Sequence, residues 1–403
     1  MTEAARAHAL SDVRVVDLSG RVAGQFCTKM LAHCGAEVIK VEPPAGDALR
    51  RRGPFPDDQP DPDASGLFVH LNAGKKSVTL DVTTPTGRRL LKRLLAQADV
   101  LVESHQPGEL SQLGLGYDDL QDEFPDLVYT SITPFGQTGP YRDYKGDSIA
   151  AQALCSYAYT TGDPEREPLA TAGDLAEYFA GAHGAVAVTA AIEYRSEHGG
   201  GQQIDLSILE SIAMADDYNY ACYAATGAIR RRYYSRLLMS YPNDIYRCKD
   251  GYISFAPGAG GFPMNVALLM DRPELADHPL FVDANERQIR WREFDAIVQP
   301  WLLEHTVEEV LLKAQSMRML FAPVPSPPDL LSNVHLEARG FFGEVEQPGV
   351  GRVAMVGPPF EMSATPLVRA LAPGLGEHNA EQLVQRLTLE GEELLRLRSL
   401  GIA

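Results

Sequence analysis

Short apolar runs alternate with amphipathic stretches through the first half of the chain. The β-branched run Val13 to Asp17 (VRVVD) has the length and composition of a buried strand. A loop holding Gly20 and Gly24 follows, Phe26 to His33 carries a helical pattern that Gly35 ends, and Glu37 to Val41 (EVIKV) is a second strand. Strand, glycine-containing loop, helix and strand in that order predict a βαβ unit with a parallel sheet. The alternation continues. Ser77 to Val82 and Val100 to Glu103 read as strands around the amphipathic helix Thr86 to Ala98, and Leu127 to Ile132 as another strand. The first half is therefore expected to be a doubly wound α/β domain.

Beyond it, Ala176 to Glu197 is a long Ala-rich helix stopped by Gly199 to Gly201, with a strand at Gln203 to Leu206 and a helix at Leu209 to Tyr223. Composition changes between Gly227 and Arg236, where Arg230, Arg231, Arg232 and Arg236 stand beside Tyr233 and Tyr234. A strand at Gly251 to Phe255, a glycine loop at Gly258 to Gly261 and helical patterns from Asn265 to Leu320 then predict a smaller domain over 228–330. Residues 1–227 and 331–403 are assigned to the larger domain. A final helix is expected over Ala380 to Leu400, and no internal repeat is visible.

The charge balance narrows the function classes. Against 54 Asp+Glu the 403 residues carry 36 Lys+Arg, a net charge of −18, which argues against non-specific binding to a nucleic-acid backbone. The longest uninterrupted apolar candidate, Phe179 to Ile192, contains His183 and falls short of the roughly 20 residues a membrane span needs. Met1 to Leu10 lacks the apolar stretch of a signal peptide. Cys27, Cys34, Cys155, Cys222 and Cys248 are scattered and odd in number, as reduced thiols would be, with no zinc spacing. The expectation is a soluble cytoplasmic protein without metal, membrane or nucleic-acid partner.

Local chemistry is less decisive. A glycine loop feeding a helix N-terminus can receive an anion, but Gly20 and Gly24 do not make a dinucleotide fingerprint, and a tight strand-to-helix connection is the commoner use. Asp174 and Glu177 open the long helix, where the dipole favours carboxylates. Tyr218, Tyr220, Tyr223, Tyr233, Tyr234 and Tyr241, with Asp216 and Asp217, would suit either an acyl pocket for a cationic group or, more commonly, core or interface.

Several separated segments, taken in order, are more specific. They are VRVVDLSGRVAGQFCTKMLAHCGAEVIKVEPPAGDALR, NAGKKSVTLDVTTPTGRRLLKRLLAQADVLVES, LGLGYDDL, SITPFGQTGPY, GGGQQIDLSILES, YRCKDGYISF, NVHLEARGFF, VGPPFEMSATP and LGEHN. Through them nearly the whole chain resembles the family III CoA-transferases, the group of formyl-CoA:oxalate and carnitine CoA-transferases and α-methylacyl-CoA racemases. The resemblance implies a large Rossmann-like domain with a parallel sheet built from both chain ends, a smaller α+β domain, and an interlocked homodimer. It implies CoA transfer between an acyl-CoA and a small carboxylic acid, through an anhydride and a thioester on an enzyme carboxylate. CoA is then a substrate and no cofactor is permanently bound.

The family nucleophile is an aspartate four positions before a glycine. Here that position is Glu177, with Gly181 following; Asp174 lies one helical turn upstream as a second candidate. The resemblance brings Arg21, Val22, Ala23 and Leu80 to the CoA cradle, puts Ser104-His105 where Asn-Phe is usual, and matches Lys145 to a CoA-contacting lysine. Pro43, Thr83, Gln106 and Gln112 stand where relatives carry basic phosphate contacts, leaving Lys75, Lys76 and Arg21 as the available charges. Asp147 occupies the position of the racemase histidine, so an isomerase pairing Asp147 with Glu177 is one alternative. Asp147 as a simple helix cap is the commoner role. A family member that has lost CoA-transfer chemistry is the other alternative.

Overall fold

Six strands form one fully parallel sheet in the order β3-β2-β1-β4-β5-β6. They are β1 (Arg14–Asp17), β2 (Glu37–Glu42), β3 (Lys76–Thr79), β4 (Val100–Glu103), β5 (Val128–Thr133) and β6 (Gln203–Ser207). The computed structural model describes residues 8–233, 236, 241–256 and 262–403, so Tyr234 and the expected loop Gly258 to Gly261 lie outside the described residues. Val15 pairs with Val38 on one side and Val100 on the other. Burial on both faces explains why the central strands β1 and β4 read as largely apolar runs rather than alternating ones.

The strand order reverses between β1 and β4, and that switch point is where an open α/β sheet leaves a crevice at the carboxyl ends of its strands. Helix α1 (Val22–His33) starts there, four residues earlier than its apolar pattern suggests, and ends at Gly35, whose φ of +98° suits a residue without Cβ. The long helix Leu175–His198 packs along α1. By length and composition it is apolar enough to cross a bilayer, but it is built into the sheet's flank through Ala176, Ala180, Gly184 and Val188.

Two compact units divide the chain: Met1–Tyr157 with Ala170–Ala221 and Val334–Ala403, and Ala158–Leu169 with Cys222–Asn333. The segment 158–169 thus clusters with the smaller unit, although it was assigned to the larger domain. The smaller unit holds the antiparallel sheet β7 (Asp244–Arg247), β8 (Tyr252–Ala256) and β9 (Leu320–Pro323), packed by helices around Phe255, Phe281 and Phe294. In the larger unit the sheet itself comes entirely from residues 14–207. The C-terminal end supplies cover instead, with Leu383, Leu387, Leu394 and Leu397 in the core beside the helix Pro85–Leu95 and Asp81 N–H bonded to the Ile402 carbonyl at 2.7 Å. Two further expectations change. Leu209 to Tyr223 is two helices, Ile208–Met214 and Asp217–Thr226, and the final stretch breaks between Ala380–Arg386 and Gly391–Ser399.

A buried ionic layer lies beneath the switch point. Asp17, at the end of β1 and 0% exposed, accepts bonds from the Ser19 N–H (2.9 Å), the Ser19 and Thr28 hydroxyls and the Lys75 ammonium (3.0 Å). Lys40, within β2, donates to the Ser19 carbonyl and pairs with Asp47 at 2.9 Å. Gln25 reaches Asp47 and the Ser19 carbonyl, and Arg50 grips Glu42 with two bonds of 2.6 and 2.8 Å. Burial alone would raise the Asp17 carboxyl; the charges of Lys40 and Lys75 and the two hydroxyls outweigh it and bring it down to about 2. Removing one member of such a layer leaves buried charge uncompensated. Asp17→Asn, which strands Lys75, is expected to cost about 3–5 kcal/mol, seen as a lower Tm of the larger unit.

A second group of bases sits further along α1. Lys29 is 3% exposed and its ammonium is 3.3 Å from His70 Nδ1; His33 is buried nearby. Burial, then the Lys29 charge, pushes His33 and His70 down from 6.5 to about 4. Both imidazoles therefore stay neutral in the folded protein over a range where the unfolded chain takes up protons. Stability is present above pH 6.5 and falls as pH drops toward 4. The expected readout is a Tm that declines across that window, with a shallower decline in His33→Phe.

Candidate active site

Arg21 is the N-cap residue of α1, and its side chain offers no acceptor to the first-turn N–H groups. The acceptor comes from the neighbouring helix. Glu177, in the first turn of Leu175–His198, takes the Ala23 N–H on Oε2 at 3.0 Å and the Arg21 guanidinium on Oε1. The guanidinium also donates to the Gly146 carbonyl at 3.0 Å. Glu177 is 7% exposed at its side chain and Arg21 23%, so the pair is largely withdrawn from water. The carboxylate sits at the positive end of the α1 dipole, where negative charge is favoured.

Close backbone approach makes this geometry possible. A Cβ on Gly181 would stand 2.5 Å from the Ala23 carbonyl oxygen, and one on Gly24 would stand 2.3 Å from the Ser19 Cβ. From the other side of the switch point, the Ser104 hydroxyl after β4 accepts the Gly20 N–H (3.0 Å) and the Arg21 N–H (3.2 Å). The loop after β1 is thus held by β4 from one side and by the ionic layer from below. The site presents one buried carboxylate, one guanidinium and a helix N-terminus at a crevice. That arrangement suits nucleophilic or acid/base work by a carboxylate on an acyl group.

The sequence model described as CoA-transferase family III matches residues 10–379. The chain belongs to CoA-transferase family III. It is 32% identical over 393 residues to the succinyl-CoA–D-citramalate CoA-transferase of Chloroflexus aurantiacus, covering 97% of both chains. It is 31% identical to the formyl-CoA:oxalate CoA-transferase of Streptomyces avermitilis, covering 98% of this chain and 99% of that one. The crystal structure of a CAIB/BAIF family protein from Brucella suis superposes with a TM-score of 0.85 at 29% identity, over 95% of this chain and 100% of that one. The protein is an enzyme of the transferase class that the family defines.

Within this family III enzyme the expected site residues separate into three groups. Glu177, Arg21, Val22, Ala23 and Ser104 meet at the start of α1. His105 follows directly, its N–H on Glu103 Oε2 at 2.7 Å, and Lys145 is exposed. Asp174 and Asp147 carry other duties. Asp174 is the N-cap residue of the long helix and accepts from Arg52 at 2.9 Å, while Asp147 caps the helix Ser148–Leu154 through the Ala150 N–H at 3.0 Å. No hydrogen bond joins Asp147 to Glu177 among the described residues.

Lys75 and Lys76 require a correction. Lys75 is fully buried between Asp17 and the Gln25 carbonyl, so its ammonium braces the loop from inside and offers nothing to a phosphate. Burial lowers it to about 8 despite Asp17. Lys76 is paired with Glu37 (2.9 Å) and Glu381 (2.5 Å). Leu80 is internal too, its N–H on the Glu42 carbonyl, which leaves its backbone oxygen rather than its side chain for any ligand. Of the tyrosines, Tyr241 is core in the smaller unit, its hydroxyl bonded to Tyr246 (3.0 Å) and Asp295. Tyr218, Tyr220, Tyr223 and Tyr233 are exposed, and the side chain of Asp217 lies outside the described residues.

Sequence reasoning did not foresee that Arg21 would face Glu177, nor the layer of Asp17, Lys40 and Gln25 beneath them. Charged residues closing the apolar strands β1 and β2 were the available signal. Because Gly181 admits the Ala23 carbonyl, Gly181→Ala must push α1 and the long helix apart by tenths of an ångström or more. A lower Tm and at least a tenfold loss of transferase rate are expected, checked by thermal melting and steady-state kinetics, although no reacting group is altered.

Proposed function

We propose that this enzyme moves CoA from an acyl-CoA to a carboxylic acid with Glu177 as the covalent nucleophile. The observation that carries the reading is the placement of Glu177, a buried carboxylate fixed at the α1 N-terminus over the sheet's switch point. In the first step a Glu177 oxygen attacks the thioester carbon, the C–S bond breaks and CoA leaves as thiolate. The thiolate then attacks the glutamyl carbonyl of the anhydride, releasing the acyl group as a carboxylate and leaving a glutamyl-CoA thioester. The acceptor carboxylate attacks that thioester, and the same steps run in reverse. Splitting the transfer through a covalent carboxyl keeps each barrier moderate. The extra methylene of Glu over Asp is accommodated by reaching Ala23 N–H from the first helical turn.

Relatives named for succinyl-CoA with citramalate, malate or mesaconate as partner acids support a small carboxylic acid as acceptor. An interlocked homodimer in the cytoplasm belongs to the same reading. The isomerase alternative is disfavoured by Asp147, whose carboxylate is occupied as a cap.

Hydroxylamine converts an acylated carboxyl to a hydroxamate, which intact-mass analysis and peptide mapping detect. After incubation with a panel of acyl-CoAs the hydroxamate is expected on Glu177, to be absent in Glu177→Gln and to persist in Asp174→Asn. No adduct with any acyl-CoA, together with no binding of CoA, would overturn the transferase reading. A hydroxamate on Asp174 would move the nucleophile one turn upstream.

A further inference from the structure

The guanidinium of Arg21 is only partly used. Of its five N–H donors, two on Nη2 serve Glu177 and the Gly146 carbonyl. Nε is buried without a partner, and no hydrogen bond to Nη1 is present among the described residues. Glu177 is its anionic partner, at 7% exposure, while the Arg21 side chain is 23% exposed.

That pairing cannot survive the chemistry proposed above, on which this inference rests. Once Glu177 is an anhydride or a thioester its carbonyl is neutral. The Arg21 charge is then left unpaired in a largely dry position, and the first turn of α1 loses its anion at the same moment. A half-buried guanidinium without a counter-ion is unfavourable, and a carboxylate is the ligand its planar fork matches.

We propose that Arg21 is a receptor for the substrate carboxylate that Glu177 closes in the free enzyme and acylation opens. The incoming acid replaces the charge that Glu177 has just lost, so the site stays near neutrality through the cycle. The acceptor acid is thereby admitted after the first covalent step and excluded before it. Acylation frees the Nη2 donor that Glu177 holds, and with the unused Nη1 it makes an end-on fork, so the receptor is bidentate. The fork also gives the site a preference for planar carboxylates over spherical anions.

Glu177→Gln imitates the neutral, acylated carboxyl without any reaction. Titration calorimetry with succinate and acetate as probes is expected to show at least tenfold tighter binding to Glu177→Gln than to the parent enzyme. The double variant Glu177→Gln with Arg21→Gln is expected to lose that gain. Binding no tighter than in the parent, or a gain that survives in the double variant, would refute the receptor. Should Glu177→Gln fail to fold, steady-state kinetics of Arg21→Gln gives the second measurement. There the acceptor KM should rise at least tenfold while hydroxamate formation from acyl-CoA slows about threefold, with Arg21→Lys partly restoring the acceptor KM. Equal losses in both half-reactions would mark Arg21 as merely structural and sink the proposal. A parent enzyme that forms no hydroxamate sinks the transferase reading; one that forms it, with Glu177→Gln indifferent to succinate and acetate, sinks the receptor alone.

Discussion

Everything at the site depends on where the backbone goes between Asp17 and Val22. Asp17 is the last residue of β1, and its carboxylate turns the chain by taking the Ser19 N–H and hydroxyl. Lys40 from β2 and Lys75 from the turn before β3 lock that carboxylate, and Lys40 also holds the Ser19 carbonyl. A buried ion layer of this kind adds little net stability over an apolar core. What it supplies here is position. The Ser19 to Arg21 segment has no regular ladder to define it, and without the layer the first N–H groups of α1 would have no fixed direction.

Position becomes chemistry through the packing of two helices. The long helix meets α1 at glycines, Gly181 against the Ala23 carbonyl and Gly184 against Cys27, so the helices come closer than any side chain would allow. That approach is what lets a carboxylate on the first turn of one helix cap the first turn of the other. A helix whose own N-cap residue carries no acceptor is therefore completed by Glu177. The same bond that satisfies an orphan N–H fixes the Glu177 carboxylate, so on the proposed reading folding and catalysis share one contact.

Much of the fold was legible in the chain. Apolar runs at Val13 to Asp17, Glu37 to Val41 and Val100 to Glu103 lie within a residue of observed strands, because burial on both faces keeps the runs short and rich in valine and isoleucine. What periodicity lost was local. The start of α1 hid behind glycines and Arg21, and the C-terminal cover read as one helix because the leucines on either side of the break share a spacing. The candidate site was legible by register, since counting to Gly181 placed Glu177 at a helix start. Its partners were not. Lys75 and Lys76 are adjacent at the entry to β3, yet one is buried against Asp17 and the other pairs with Glu37 and Glu381, a difference that a basic pair in a sequence conceals.

The burial of Lys75 bears on the charge left around the switch point. The family resemblance puts Pro43, Thr83, Gln106 and Gln112 where basic phosphate contacts are expected, and the buried state of Lys75 removes one of the charges left to compensate. The basic groups that remain are differently placed: Lys145 is exposed and Arg21 faces Glu177. On the proposed reading, charge is concentrated at the reacting end of the substrate rather than at its phosphates. Discrimination would then come from the carboxylate side of the reaction, where a guanidinium can distinguish one state of Glu177 from another. The hold on CoA would rest more on backbone and apolar contacts along the β1 and β4 loops than on ion pairs.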